Sequence, residues 1–175
     1  MDTDIIADTF ESSQAAVDSR IHEILDAAIT RDLDRLASYH LEGPKFSKFD
    51  DVEPLDRQDA ETSARLEAEQ FAAVQDLHAG FDDLKIDVFG PVAIATGIFV
   101  WDGTVDGSPS SGRTRSTVVF VDDGSQWLIA HEHHPRRRHP AGGVAGRVPE
   151  LVRRAQPESR RRRRLSRRQQ DGEPR

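Results

Sequence analysis

RTRSTVVFVDDGSQWLIAHEHH, the stretch from Arg113 to His134, decides the fold. Two runs rich in β-branched and aromatic residues, Arg115 to Val121 and Trp127 to His133, flank Asp123-Gly124, a dipeptide suited to a tight hairpin turn. Strict alternation along the second run puts Trp127, Ile129, His131 and His133 on one face, and Leu128, Ala130, Glu132 and His134 on the other. A strand that is apolar at its start and titratable at its end suits the wall of a pocket.

Working outward, Phe81 to Phe89 and Val92 to Trp101 are two further β runs. Gly90-Pro91 parts them, and a loop from Gly103 to Gly112 comes after the second. Strands this close in sequence pair antiparallel. Upstream the period changes to that of a helix. Val17, Ile21, Ile24, Leu25 and Ala28 recur every three or four residues; Leu33 and Leu36 continue the pattern in a second helix that Thr30 or Asp32 can cap. Phe46 to Asp51 reads as a short strand. Leu55 to His78, free of Gly and rich in Ala, Glu, Gln and Arg, predicts a third helix. Helices first and a meander afterwards make an α+β domain with one sheet face covered by helices.

The chain has 175 residues, no Cys and a net charge of -7. Residues 1–134 hold 27 Asp and Glu against 10 Lys and Arg, whereas residues 135–175 hold 4 against 14. An acidic body disfavours nucleic acid and anionic membranes as partners. The N-terminus lacks the basic flank and apolar run of a signal peptide, and no stretch is apolar enough to span a bilayer, so a cytoplasmic protein is expected. From Pro135 onward Arg, Pro, Gly and Ala dominate with no aromatic residue, the composition of a disordered tail or of a frameshifted terminus. The expected organisation is thus one domain over 1–134 and an Arg/Pro-rich tail over 135–175.

Ile29-Thr30-Arg31-Asp32 with Leu33 and Leu36, then Val92 to Gly97, Arg115 with Thr117, Asp123-Gly124, and Trp127, Ile129, His131 and His133 succeed one another in a telling order. That order resembles the SnoaL-like and ketosteroid-isomerase-like branch of the nuclear transport factor 2-like superfamily, over roughly Ala16 to His134. The resemblance implies a cone-shaped barrel of strongly curved, mainly antiparallel sheet, with three helices packed on its concave face over a mostly apolar pocket. It also implies dimerisation through the outer sheet face. Such domains include isomerases, polyketide cyclases, dehydratases and epoxide hydrolases, and others without chemistry, so the fold alone names no reaction. Where ketosteroid isomerases carry a first-helix tyrosine this chain has Ile24, and their early-strand aspartate falls near Lys48, with Asp50 two residues on.

A handful of residues are candidates for a site. His131 and His133, two apart on a strand, suit general acid/base work, metal ligation or hydrogen-bonded structural roles; the spacing is not that of a helical zinc motif. Asp50 is a third catalytic candidate. Arg115, on the neighbouring strand, would favour an anionic or enolate-forming ligand. Tyr39, Trp101 and Trp127 are candidate ligand contacts, the two tryptophans suiting a core equally. The DGTVDGSPSSGR loop has Arg113 where a calcium loop needs Glu. No metal and no cofactor are expected. The expected function is binding of a small organic molecule, anionic or carbonyl-bearing, with cofactor-free proton transfer; the alternative is a non-catalytic dimerisation or association module. A homodimer is expected through Val118, Phe120, Leu128 and Ala130. A chain ending at His134 should keep the thermal midpoint of the full chain, and a drop of many degrees in a melting curve would show that the tail packs.

Overall fold

The computed structural model describes residues 4–50 and 55–135, so the tail beyond Pro135 lies outside the described residues. Helix α1 (Glu11–Thr30) buries Val17, Ile21, Ala27 and Ala28, the stripe its spacing predicts, and stops where Arg31 turns left-handed and its N–H returns to the carbonyls of Ala27 and Ala28. Asp32 caps α2 (Leu33–Ser38) by accepting from the Arg35 amide. Strand β1 (Ser47–Phe49) precedes α3 (Ala60–Ala73), which Asp59 caps through the Thr62 amide.

The third helix is shorter than its composition predicts. Val74 is extended, and β2 (Val74–Phe89) takes up residues 74–78 that helix propensity assigns to α3. The reason is tertiary: β3 (Val92–Val105) extends to Val105 and offers ladder partners, Val105 to Val74 and Asp102 to His78 among them. The expected loop from Gly103 to Gly112 is a hairpin tip. Asp106 and Gly107, with φ of 51° and 72°, make a two-residue turn between β3 and β4 (Ser108–Asp122). Positive φ at both central positions matches the strand twist, and Asp-Gly adopts it readily. Across that hairpin Gly112 pairs with Trp101, whose indole occupies the space a Cβ would need. β2 is irregular between Gln75 and His78 and between Asp82 and Lys85, where Asp76 and Asp83 have positive φ, and such bulges bend a strand.

The sheet order is β1-β5-β4-β3-β2, with β5 (Trp127–His133) parallel to β1 and every other pairing antiparallel. The sheet is open: β1 and β2 form its two edges. Val17 and Ile21 of α1 pack with Ile86, Val88, Ala93, Ala95, Val118, Phe120, Trp127 and Ile129 in one core on the inner face. A second cluster, Ala27, Ala28, Leu36 and Tyr39, joins the helices. Val118 and Phe120, expected on the outer face, belong to the core at 6% and 1% exposure. The outer residues of β4 are Arg113, Arg115, Thr117 and Val119, because the parity of β4 is set by its buried Thr114, Ser116 and Val118.

One irregularity sets the orientation of every side chain at the end of β5. Phe120 pairs with Ile129, but Val119 pairs with His131, leaving Ala130 as an extra residue in β5. The bulge switches parity. Trp127 and Ile129 face the core, and after Ala130 it is Glu132, paired with Val118, that faces inward. His131 and His133 pair with Val119 and Thr117 on the outer face, so the four residues expected on one face are divided between two. Ile129→Ala should therefore cost about 2–5 kcal/mol in a denaturant titration, and His133→Ala no more than about 0.5 kcal/mol, although strict alternation gives both the same environment.

Candidate functional site

Pairing to β5 brings the site together. The chain leaving α2 runs beside β5, with Leu41 N–H donating to Ile129 O and Ile129 N–H to Tyr39 O, both at 2.8 Å, so His40 lies opposite inward-facing Ile129. Farther along the same edge β1 sets Lys48 opposite Glu132. On its other side Lys48 exchanges both backbone hydrogen bonds with Gln58, at 3.1 and 3.0 Å. Residues in directly opposed pairs share a face, so His40, Lys48, Gln58 and Glu132 all turn toward the interior. Helix α3 adds Ser63, Glu67 and Gln70, which stand one above another at helical spacing.

The Lys48 ammonium is the hub. Its Nζ lies 2.6 Å from Glu67 Oε1, 2.9 Å from Glu132 Oε2 and 4.0 Å from Asp50 Oδ2. Gln70 Nε2 donates to Asp50 at 3.3 Å. His40 Nε2 is 3.8 Å from Glu67 Oε1 and 3.9 Å from Glu132 Oε1. Lys48, Glu67, Glu132 and His40 are all buried. Burial would push the lysine pKa down, but Glu132, Glu67 and Asp50 more than reverse this and hold it well above the ordinary value. Burial likewise opposes ionisation of Glu132, which Lys48 and His40 hold well below the carboxylate range. The same carboxylates raise His40 against the effect of its burial. His134, the next inward residue after Glu132, is lowered, chiefly by desolvation.

Beyond the cluster the inner face continues as Ser116, Thr114, His134 and the aromatic pair Phe81 and Phe99, whose rings meet edge to face at 5.5 Å. The His134 ring is 6.2 Å from that of Phe99. Several buried polar atoms on this face have no hydrogen-bond partner among the described residues: both amide atoms of Gln58, Ser63 Oγ, Ser116 Oγ, His134 Nδ1 and His40 Nε2.

The residues expected from sequence take several places. Asp50 joins the inner cluster. His131 and His133 lie on the outer face with Ser47 and Phe49; Ser47 Oγ is 2.9 Å from His131 Nδ1, and the Phe49 ring meets the two imidazoles at 6.2 and 6.1 Å. Arg115 is exposed on that same face. Tyr39 packs between helices, its hydroxyl accepting from Arg35 Nε at 2.8 Å and its ring beneath Arg20. Trp127 is a core residue, and Trp101 lies across Gly112 near the hairpin tip. An open groove of about 400 Å³ lies at that tip, lined by Asp76, His78, Asp102 and Ser110 among others. Strict alternation hides Glu132. Two sequence signals do mark the cluster: the polar stripe Ser63, Glu67 and Gln70 on one face of α3, and Lys48 and Asp50 sharing parity with Phe46.

Among the described residues no helix is long and apolar enough to cross a membrane. Among solved structures, a nuclear transport factor 2-like protein of unknown function from Pseudomonas putida is similar at 16% identity and a TM-score of 0.64, over 73% of this chain and 89% of that one. A nuclear transport factor 2-like superfamily protein from Salmonella enterica gives 16% and 0.63, over 76% and 98%. The hub of the S. rosetta calcium/calmodulin-dependent kinase II gives 22% and 0.59, over 69% and 94%. These likenesses concern the fold. Comparison with curated proteins returns no match. The SnoaL-like domain family matches residues 17–134, which span both the helices and the whole sheet, and the chain belongs to that family.

Proposed function

We propose that the domain binds a small organic molecule against the inner face of the sheet and moves a proton on it with its own side chains. The observation that carries this reading is the group of buried polar atoms without partners, on Gln58, Ser63, Ser116 and His134, along one concave surface. Buried polar atoms are nearly always hydrogen-bonded, and each one left unpaired costs about 1–3 kcal/mol. A ligand with its own donors and acceptors removes that cost. Phe81 and Phe99 supply an apolar wall for its carbon skeleton.

The electrostatics narrow the ligand class. The two buried carboxylates of Glu67 and Glu132 outnumber Lys48, and a surplus of negative charge repels an anion while tolerating a neutral carbonyl compound. A carbonyl-bearing molecule therefore fits this face better than a carboxylate. In this reading His134 is the acid/base group, its Nδ1 facing the interior, Ser116 donates to the carbonyl oxygen, and Asp50 is an auxiliary. A set of small cyclic ketones screened by ligand-observed NMR should yield binders. Exchange of their α-protons for deuterium should be accelerated by the full chain and fall by about 100-fold or more in His134→Gln. Exchange unchanged in His134→Gln, or no binding by any ketone, would count against the assignment.

A second reading, an association module, is favoured by the outer face, where Phe49, Val119, His131 and His133 lie together, and by the fold shared with a kinase hub. A homodimer through this face is compatible with a ligand on the other. Light scattering at micromolar concentration should report twice the chain mass, and Phe49→Asp should reduce it to one; a monomeric wild-type chain would sink this reading.

A further inference from the structure

His40 has a feature that neither ligand binding nor association requires. Its Nδ1 lies 3.1 Å from the carbonyl oxygen of Leu36, which can only accept, so Nδ1 carries the proton and donates. In the neutral ring that leaves a lone pair on Nε2. The lone pair is buried and aimed at Glu67 Oε1 and Glu132 Oε1, at 3.8 and 3.9 Å. A bare lone pair facing two carboxylate oxygens in a low dielectric is repulsive; Lys48 offsets part of that charge, and a second cation beside Nε2 would offset the rest.

A proton on Nε2 is one such charge, but the distances do not suit it. A charge-assisted N–H···O bond brings the heavy atoms to roughly 2.7–2.9 Å. A metal ion does suit them. Ligand nitrogen and oxygen atoms stand roughly 2.0–2.2 Å from Zn²⁺, so two atoms on one ion are separated by roughly 3.4–4.2 Å as their angle opens from tetrahedral to linear. His40 Nε2, Glu67 and Glu132 each offer one atom, all within 4.8 Å of one another. Lys48 takes the other oxygen of Glu132, Oε2, and leaves Oε1 to His40, whereas on Glu67 it donates to Oε1 itself, an oxygen the ion would share with the ammonium. A backbone carbonyl fixing the far ring nitrogen, as Leu36 does, is the usual outer support of a ligating histidine.

Glu67 and Glu132 are both buried, so their charge must be met by cations instead of water, and Lys48 supplies one of them. We propose that His40, Glu67 and Glu132 form a binding site for one divalent transition-metal ion, with Zn²⁺ the best fit to one imidazole and two carboxylates. The ion would lie at the deep end of the inner face, and it does not depend on an organic molecule binding beside it.

The test uses the full chain, freed of metal with a chelator and titrated with Zn²⁺ in a calorimeter, with Co²⁺ as an optical probe. One ion per chain is expected, with Co²⁺ absorption bands of a low-coordinate site and a rise in thermal midpoint on loading. His40→Gln and Glu67→Gln should each weaken binding by at least about 10- to 100-fold and abolish that rise. A double replacement of His131 and His133 by Gln should leave both unchanged, which separates this site from adventitious zinc on the outer face. If His40→Gln fails to fold, the wild-type chain decides by ¹⁵N NMR of its imidazoles: the Nε2 resonance of His40 should move on Zn²⁺ addition while Nδ1 stays protonated. An unmoved His40 ring, or binding lost only in the outer-face double variant, would overturn the proposal. Absence of ketone binding with one zinc per chain at His40 would remove the ligand reading and leave the metal site standing.

Discussion

A buried lysine between two buried glutamates holds this domain in its particular shape. Lys48 comes from an edge strand of three residues, Glu67 from a helix and Glu132 from a central strand, and the ammonium binds both carboxylates within 3 Å. Short edge strands have little ladder to hold them, and here the side chain supplies what the backbone lacks. Taking such charges out of water is expensive, and the pairing repays it only when the geometry is right and all three elements are in register. The cluster thus acts as a specification of arrangement more than as a source of stability. A slip of β1 by one residue would turn Lys48 to the outer face and leave both glutamates buried without their cation.

The rest of the inner face is built on that anchor. With β1 fixed, Gln58 is drawn against its far side, α3 is held above it by Glu67, and the segment after α2 pairs with β5 so that His40 joins the group. Polar groups are therefore concentrated at one end of a surface whose other end is the apolar core around Phe120 and Ile129. That gradient, from dry core to charged cluster, runs along a single strand. The outer face has no such gradient. There the two imidazoles meet the Phe49 ring along the sheet edge, with the Arg57 guanidinium over that ring.

Much of the architecture is legible in the residues. Period-3.6 spacing marks α1 and α2, Asp-Gly marks the β4–β5 turn, and the order of elements marks the SnoaL-like domain that residues 17–134 match. The errors of reading have specific causes. Residues 74–78 have the composition of a helix but find unpaired strand partners in β3, and ladder hydrogen bonds outweigh propensities of a few tenths of a kcal/mol each. Asp106-Gly107 sits among Ser, Pro and Gly residues that resemble loop, yet its two positive φ angles close a hairpin. Pro109 is tolerated in β4 because β5 pairs only with Thr117 to Asp122 and leaves that end of the strand uncovered.

The order of residues shows which chemistry is present near the end of the last strand, a glutamate among three histidines, and that an acidic residue of the β1 region shares a face with Phe46. Which of those groups looks inward depends on contacts between distant elements. A strand alternates with period two, so one extra residue inverts every side chain beyond it. The extra residue is Ala130, and nothing in its side chain marks it. The bulge exists because Phe120 must meet Ile129 in the core while Glu132 must meet Lys48, and the two demands are out of step by one residue. Alternation is a local property of the chain, but register is an agreement between elements distant in sequence, and it is the agreement that carries Glu132 inside and leaves His131 and His133 outside.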